Sequence, residues 1–137
     1  MSKITERFPF RYITKGYLGS IWRPYALCEF KNIKEDLWIP MELVIDTGAD
    51  YTLLPFNYAY LLGINLDNDC YKETTLGIGG EEKVYLYKKL QAKIGRMKIN
   101  IPVGFLKRND VPPLLGRLKF LELLRITFNK HVTLFEC

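Results

Sequence analysis

Leu43-Val44-Ile45-Asp46-Thr47-Gly48-Ala49-Asp50 carries three apolar residues straight into an aspartate and a turn of small residues. A carboxylate delivered by an apolar strand is costly to bury unless hydrogen bonds or a counter-charge hold it. Thr47 offers a hydroxyl, and Gly48 lets backbone N–H groups approach the carboxylate closely. Two readings fit these eight residues. One is an Asx-type turn at a strand end, where Asp, Thr and Gly are common. The other is an aspartate held for chemistry.

The sequence on either side of this stretch writes strands. Leu37, Ile39, Met41, Leu43 and Ile45 share one parity, as do Met97, Ile99, Ile101, Val103 and Phe105. A period of two marks a strand with one face buried. Residues 22–31 and 83–94 are further strand candidates, rich in Tyr, Val, Ile and Leu. Turn signals separate them at residues 32–36, at Gly77-Ile78-Gly79-Gly80 and at Gly95-Arg96. Helix signals are few. Pro55 opens a short candidate that Gly63 ends, and Leu118, Leu121 and Leu124 recur at spacings of three between Arg117 and Leu124. Residues 126–129 and 131–135 read as a closing pair of strands. The pattern predicts an all-β barrel or sandwich with one or two short helices.

Composition narrows the function classes. The chain has 137 residues, 48% hydrophobic and 26% charged, which suits one ordinary core and excludes a disordered tail. No apolar run approaches the roughly 20 residues of a membrane helix, and the first 12 residues do not read as a signal peptide. A cytoplasmic setting is the expectation. Lys+Arg exceed Asp+Glu by 20 to 15, for a net charge of +5. The basic residues are scattered apart from the pairs Lys88-Lys89 and Lys107-Arg108, and no nucleic-acid-binding module accompanies them, so no nucleic-acid partner is expected. Cys28, Cys70 and Cys137 are odd in number and far apart, and His131 is the only histidine. No disulfide framework, metal site or cofactor is expected from them.

Four elements in order change the balance for Asp46. Asp46-Thr47-Gly48-Ala49 after an apolar strand resembles the active-site motif of the retropepsin-like aspartic proteases. Gly77-Ile78-Gly79-Gly80 between two strand-like runs resembles the tip of that family's flap hairpin. Pro113-Leu114-Leu115-Gly116-Arg117, followed by a leucine-bearing segment, is similar to its apolar-apolar-Gly-Arg motif. The last two strands resemble its terminal strands. The resemblance covers roughly residues 21–136, and implies an acid-protease barrel that assembles as a twofold homodimer. Residues 21–137 are then the protease domain, and residues 1–20 an N-terminal arm: a cleavable pro-segment, an extra dimer strand or a cover for the cleft.

The resemblance also implies roles. Asp46 is the catalytic carboxylate. Thr47 hydrogen-bonds across the dimer, Gly48 meets the substrate backbone, and Ala49 completes the loop. Asp50 pairs with Arg117, and an interior pair of this kind would lose several kcal/mol if one partner were removed. Gly77, Ile78, Gly79 and Gly80 form the flap. Aspartic proteolysis needs two carboxylates around one water, one as base and one as acid. A chain with one Asp-Thr-Gly supplies both only by pairing with a second copy. The expected partners are a peptide or protein substrate and a second subunit, with no membrane involved. Leu118 stands where the family commonly has Asn or Asp, which keeps open a peptide-binding or dimerisation module with little turnover. Tyr51, Phe56, Tyr58 and Tyr60 divide between core packing and a substrate groove, with core packing preferred. A nucleic-acid-binding barrel, prompted by a pI near 9.1, is a third and distant possibility.

Overall fold

The computed structural model describes residues 5–77 and 80–137. Twelve strands are present among them: β1 (Thr5–Pro9), β2 (Arg11–Gly16), β3 (Gly19–Arg23), β4 (Tyr25–Lys31), β5 (Trp38–Ile45), β6 (Thr52–Pro55), β7 (Tyr71–Gly77), β8 (Gly80–Ile94), β9 (Met97–Leu106), β10 (Leu114–Leu115), β11 (Arg125–Asn129) and β12 (Val132–Glu136). Two short helices, α1 (Asn57–Leu61) and α2 (Leu66–Asp69), lie between β6 and β7.

Seven strands form one sheet in the order β4-β5-β10-β6-β9-β8-β7. β4 also pairs with β8, at Glu29↔Lys93 and Phe30↔Ala92, so the sheet curls back on itself as a barrel. Alternation dictates what goes inside. Met41, Leu43 and Ile45 of β5 are buried while Pro40 and Glu42 face out, and Ile101, Val103 and Phe105 of β9 join them in the core. Phe30, Leu90, Leu115 and Phe135 complete the centre of the cluster. A register shift in β8 between Tyr87 and Leu90 turns the strand from the barrel into the projecting β7–β8 hairpin.

The described N-terminal residues form strands. β1 pairs with β12 from Thr5↔Glu136 to Pro9↔Val132, in a three-stranded sheet completed by β11. Phe8 packs on Phe135 with ring centroids 5.5 Å apart. β2 and β3 form a separate hairpin, tied back by Trp22 stacked on His131 at 4.7 Å and by an Arg11–Glu42 ion pair. Residue 20, the boundary drawn from sequence, lies inside β3.

Three local expectations need correction. The candidate strand over residues 22–31 is broken at Pro24, which separates β3 from β4. Leu37 lies before β5 and is exposed, so it does not share the strand's inward face. Between Arg117 and Leu124 the only helical residues are a 3₁₀ turn, Leu121–Leu123. Lys119 at φ 56° and Phe120 at φ −139° break the run, so the leucines at spacings of three do not share a helix face. Gly63 does follow α1 in the left-handed region, at φ +72°.

Among the described residues no helix is long and apolar enough to cross a membrane. Cys28 is buried and Cys70 half-buried, both as free thiols. Burial raises both, Cys70 to about 11 with help from the Asp69 charge. Among the described residues no three His, Cys, Asp or Glu side chains cluster to hold a metal ion.

Candidate active site

β5 runs through the core and releases the chain at Asp46, where the apolar side chains end and the small residues begin. β10 lies parallel to β5 (Leu114↔Val44, Leu115↔Ile45) and antiparallel to β6 (Leu114↔Leu53). Those two residues wedge the segment 115–118 between the strand entering the Asp46 loop and the strand leaving it.

The half-buried Asp46 is held on three sides. Its N–H donates to the Leu115 carbonyl at 3.0 Å, its own carbonyl accepts from Ala49 N–H at 3.1 Å, and its Oδ1 accepts from Gly48 N–H at 3.0 Å. No described residue hydrogen-bonds Oδ2. A Cβ at Gly48 would sit 3.3 Å from Oδ1, a tight contact that would press on the carboxylate. The two loops are then laced together. Arg117 N–H donates to Ala49 O (3.0 Å), Leu118 N–H to Asp50 O (2.8 Å) and Gly116 N–H to the buried Thr52 Oγ1 (3.1 Å). A side chain at Gly116 would meet the Tyr51 carbonyl carbon and oxygen at 2.3 Å, so only glycine lets the loops touch.

Asp50 and Arg117, predicted to pair, do so at 2.7 Å. The pair is not interior in the single chain: the side chains are 80% and 47% exposed, so the contact is worth about 0–1 kcal/mol rather than several. Thr47 is exposed beside Asp46, and Ala49 is half-buried. Gly77 pairs with Gly80 as the last described step of the β7–β8 hairpin. Ile78 and Gly79 lie outside the described residues. Leu118, the departure from the expected polar residue, supports the loop through its main chain and leaves its side chain 43% exposed.

Three features were missed in the sequence. Thr52 is one of few fully buried polar residues, and its hydroxyl is the anchor for Gly116; its place two residues after Asp50 is the only available signal. A cavity of about 190 Å³ lies between the hairpin and the floor, with Thr75, Leu76 and Glu82 above and Leu53, Leu106 and Tyr51 below and beside. Arg108 bridges Glu82 (2.5 Å) and Asp110 (2.5 Å), tying the outer part of the hairpin to the loop after β9. Of the four aromatics assigned mainly to the core, Tyr58 packs there, Tyr51 lines the cavity, and Phe56 and Tyr60 are exposed. Burial, and then the charges of Glu73 and Asp50, push the Tyr51 hydroxyl above its ordinary pKa.

Residues 39–122, more than half of the chain, match the family described as "gag-polyprotein putative aspartyl protease". The chain belongs to this family. The matched residues run from β5 through the β7–β8 hairpin to the Gly116-Arg117 loop. A retropepsin-like aspartic protease from Rickettsia conorii has a similar fold. It superposes with a TM-score of 0.70 over 98% of this chain and 93% of that one, at 23% sequence identity. No curated protein sequence matches. The all-β barrel with short helices is therefore the retropepsin-like fold.

Proposed function

We propose that this retropepsin-like chain is an aspartic endopeptidase that hydrolyses peptide bonds as a homodimer, with one Asp46 from each subunit. The observation that carries the proposal is Asp46 itself. One carboxylate oxygen is fixed by Gly48 N–H and the other has no partner within the described chain, at the crossing of two laced loops. That arrangement suits a carboxylate that shares a water and a proton with a second copy across a twofold axis.

In this reading one Asp46 takes a proton from the water as it attacks the peptide carbonyl, while the protonated Asp46 of the partner donates to the carbonyl oxygen. Collapse of the tetrahedral intermediate returns a proton to the leaving amine. One Asp46 acts as base and the other as acid, so activity follows a bell in mildly acidic solution. Thr47 hydrogen-bonds to the partner's loop, and Gly48 and Ala49 face the substrate backbone. Asp50 and Arg117 brace the loop from outside. Gly77, Ile78, Gly79 and Gly80 close over an extended substrate that adds a strand between roof and floor. The pairing of β1 with β12 supports counting residues from Thr5 onward in the protease domain. The free thiols Cys28 and Cys70 suit a reducing, cytoplasmic setting.

The test is cleavage of a diverse peptide mixture by wild type and Asp46→Asn between about pH 4 and 7. Wild type should cleave, and the variant should fall by about a thousandfold or more. Equal cleavage by both proteins would overturn the assignment.

A further inference from the structure

Tyr51 belongs to two cavities. On one side it lines the pocket of about 190 Å³ between hairpin and floor. On the other it walls a larger cavity of about 350 Å³, lined almost wholly by apolar surface from Tyr71, Leu86, Tyr87, Val103 and Leu118. The residue has little freedom to leave this position. Its carbonyl is pressed against Gly116, where any Cβ would collide with it. Its ring lies over Gly104, where a Cβ would come within 2.7 Å of Tyr51 Cε2. Two glycines thus give Tyr51 its seat, one under the backbone and one under the ring.

We propose that the Tyr51 ring is the partition that limits the substrate pocket, making it the specificity-determining residue for the side chain that enters between Leu53, Leu76 and Leu106. This rests on the reading above that peptides lie between the hairpin and the floor. With the ring in place, the pocket ends on an aromatic face and selects compact aliphatic side chains. Without it, the pocket continues into the lateral cavity, whose aromatic and aliphatic walls suit a bulky aromatic side chain. Asp50 and Glu82 at the rim are already engaged by Arg117 and Arg108, so apolar fit rather than charge decides the selection.

The test compares peptides that differ only in carrying Val or Trp at one position near the scissile bond. Cleavage is measured with Tyr51 intact and with Tyr51→Ala, and binding with the same pair in an Asp46→Asn background. The Trp-to-Val preference should rise about tenfold or more in Tyr51→Ala. It should rise less in Tyr51→Leu, which serves if the alanine variant does not fold, and return to the wild-type ratio in Tyr51→Phe. A uniform loss for all peptides, or an unchanged ratio, would overturn the proposal, as would failure of every variant to bind any peptide. A shifted binding ratio without Asp46-dependent cleavage would remove the protease reading and leave the role of Tyr51 standing.

Discussion

Residues 46–51 meet residues 115–118 through three main-chain hydrogen bonds and a glycine contact, whereas the β7–β8 hairpin has no main-chain pairing to the barrel beyond Val84, where the β8–β9 ladder stops. Among the described residues β7 is an edge strand that pairs only with β8. Beyond that ladder, Lys72 reaches Asp67 (2.9 Å) and Arg108 reaches Glu82. The floor of the cleft is therefore a property of the backbone crossing, which either forms or does not. The outer roof is held instead by surface and half-buried charges, the kind of contact whose loss lets a segment open locally. The endopeptidase activity proposed above would need that division, a carboxylate held still and a roof that admits a peptide.

The comparison breaks most severely at Gly116. Gly116→Ala drives a methyl group into the Tyr51 carbonyl, and overpacking of this kind costs about 3 kcal/mol. The melting temperature should drop by roughly 10 °C. A variant that melts with wild type would show that the loops do not need to touch.

The roof should respond differently. Arg108→Ala should leave the melting temperature close to wild type, because Arg108 and Asp110 are exposed and Glu82 keeps a quarter of its side chain in solvent. Amides at the start of β8 should exchange faster with solvent. Unchanged exchange there would mean that the Arg108 bridge does not restrain the hairpin.

β1 gives the smallest effect and a pH signature. Glu6 accepts from Arg96 N–H at 2.8 Å and from its Nε at 3.0 Å, and the main-chain bond foremost holds the Glu6 carboxyl below its ordinary range. A carboxylate lowered in the folded state adds stability above its unfolded pKa of about 4.3, and that stability fades as pH falls through the lower folded value. Glu6→Gln should therefore lose slightly more stability at pH 7 than at pH 3, read by denaturant melts at both. An equal loss at both would place the contribution in packing over Gly95 rather than in charge.

Much of the floor is legible in the sequence itself. Met41, Leu43 and Ile45 announce an inward-facing strand by parity, and Asp46-Thr47-Gly48 announces the loop it feeds. Gly116-Arg117 announces the second loop. What cannot be read has physical reasons. β10 is two residues long, too short to carry a period, yet it brings the loops together. β2 and β3 are exposed on most of both faces, so no alternation marks them. α2 rests on one cap, Asn65 accepting from Asp67 and Asn68 N–H, rather than on an apolar stripe. The leucines after Arg117 carry a helical spacing that a left-handed Lys119 overrides. The double membership of Tyr51 depends on Gly104, on a strand far along the chain, and no local pattern records such a contact.

One measurement goes straight to the pairing of two Asp46 carboxylates. Wild-type and Asp46→Asn chains are mixed at fixed total concentration, allowed to exchange subunits, and assayed for peptide cleavage. If each site needs an aspartate from both subunits, activity falls with the square of the wild-type fraction, to about a quarter in an equal mixture. A linear decline to about one half would mean that each chain acts alone, and would contradict the shared site.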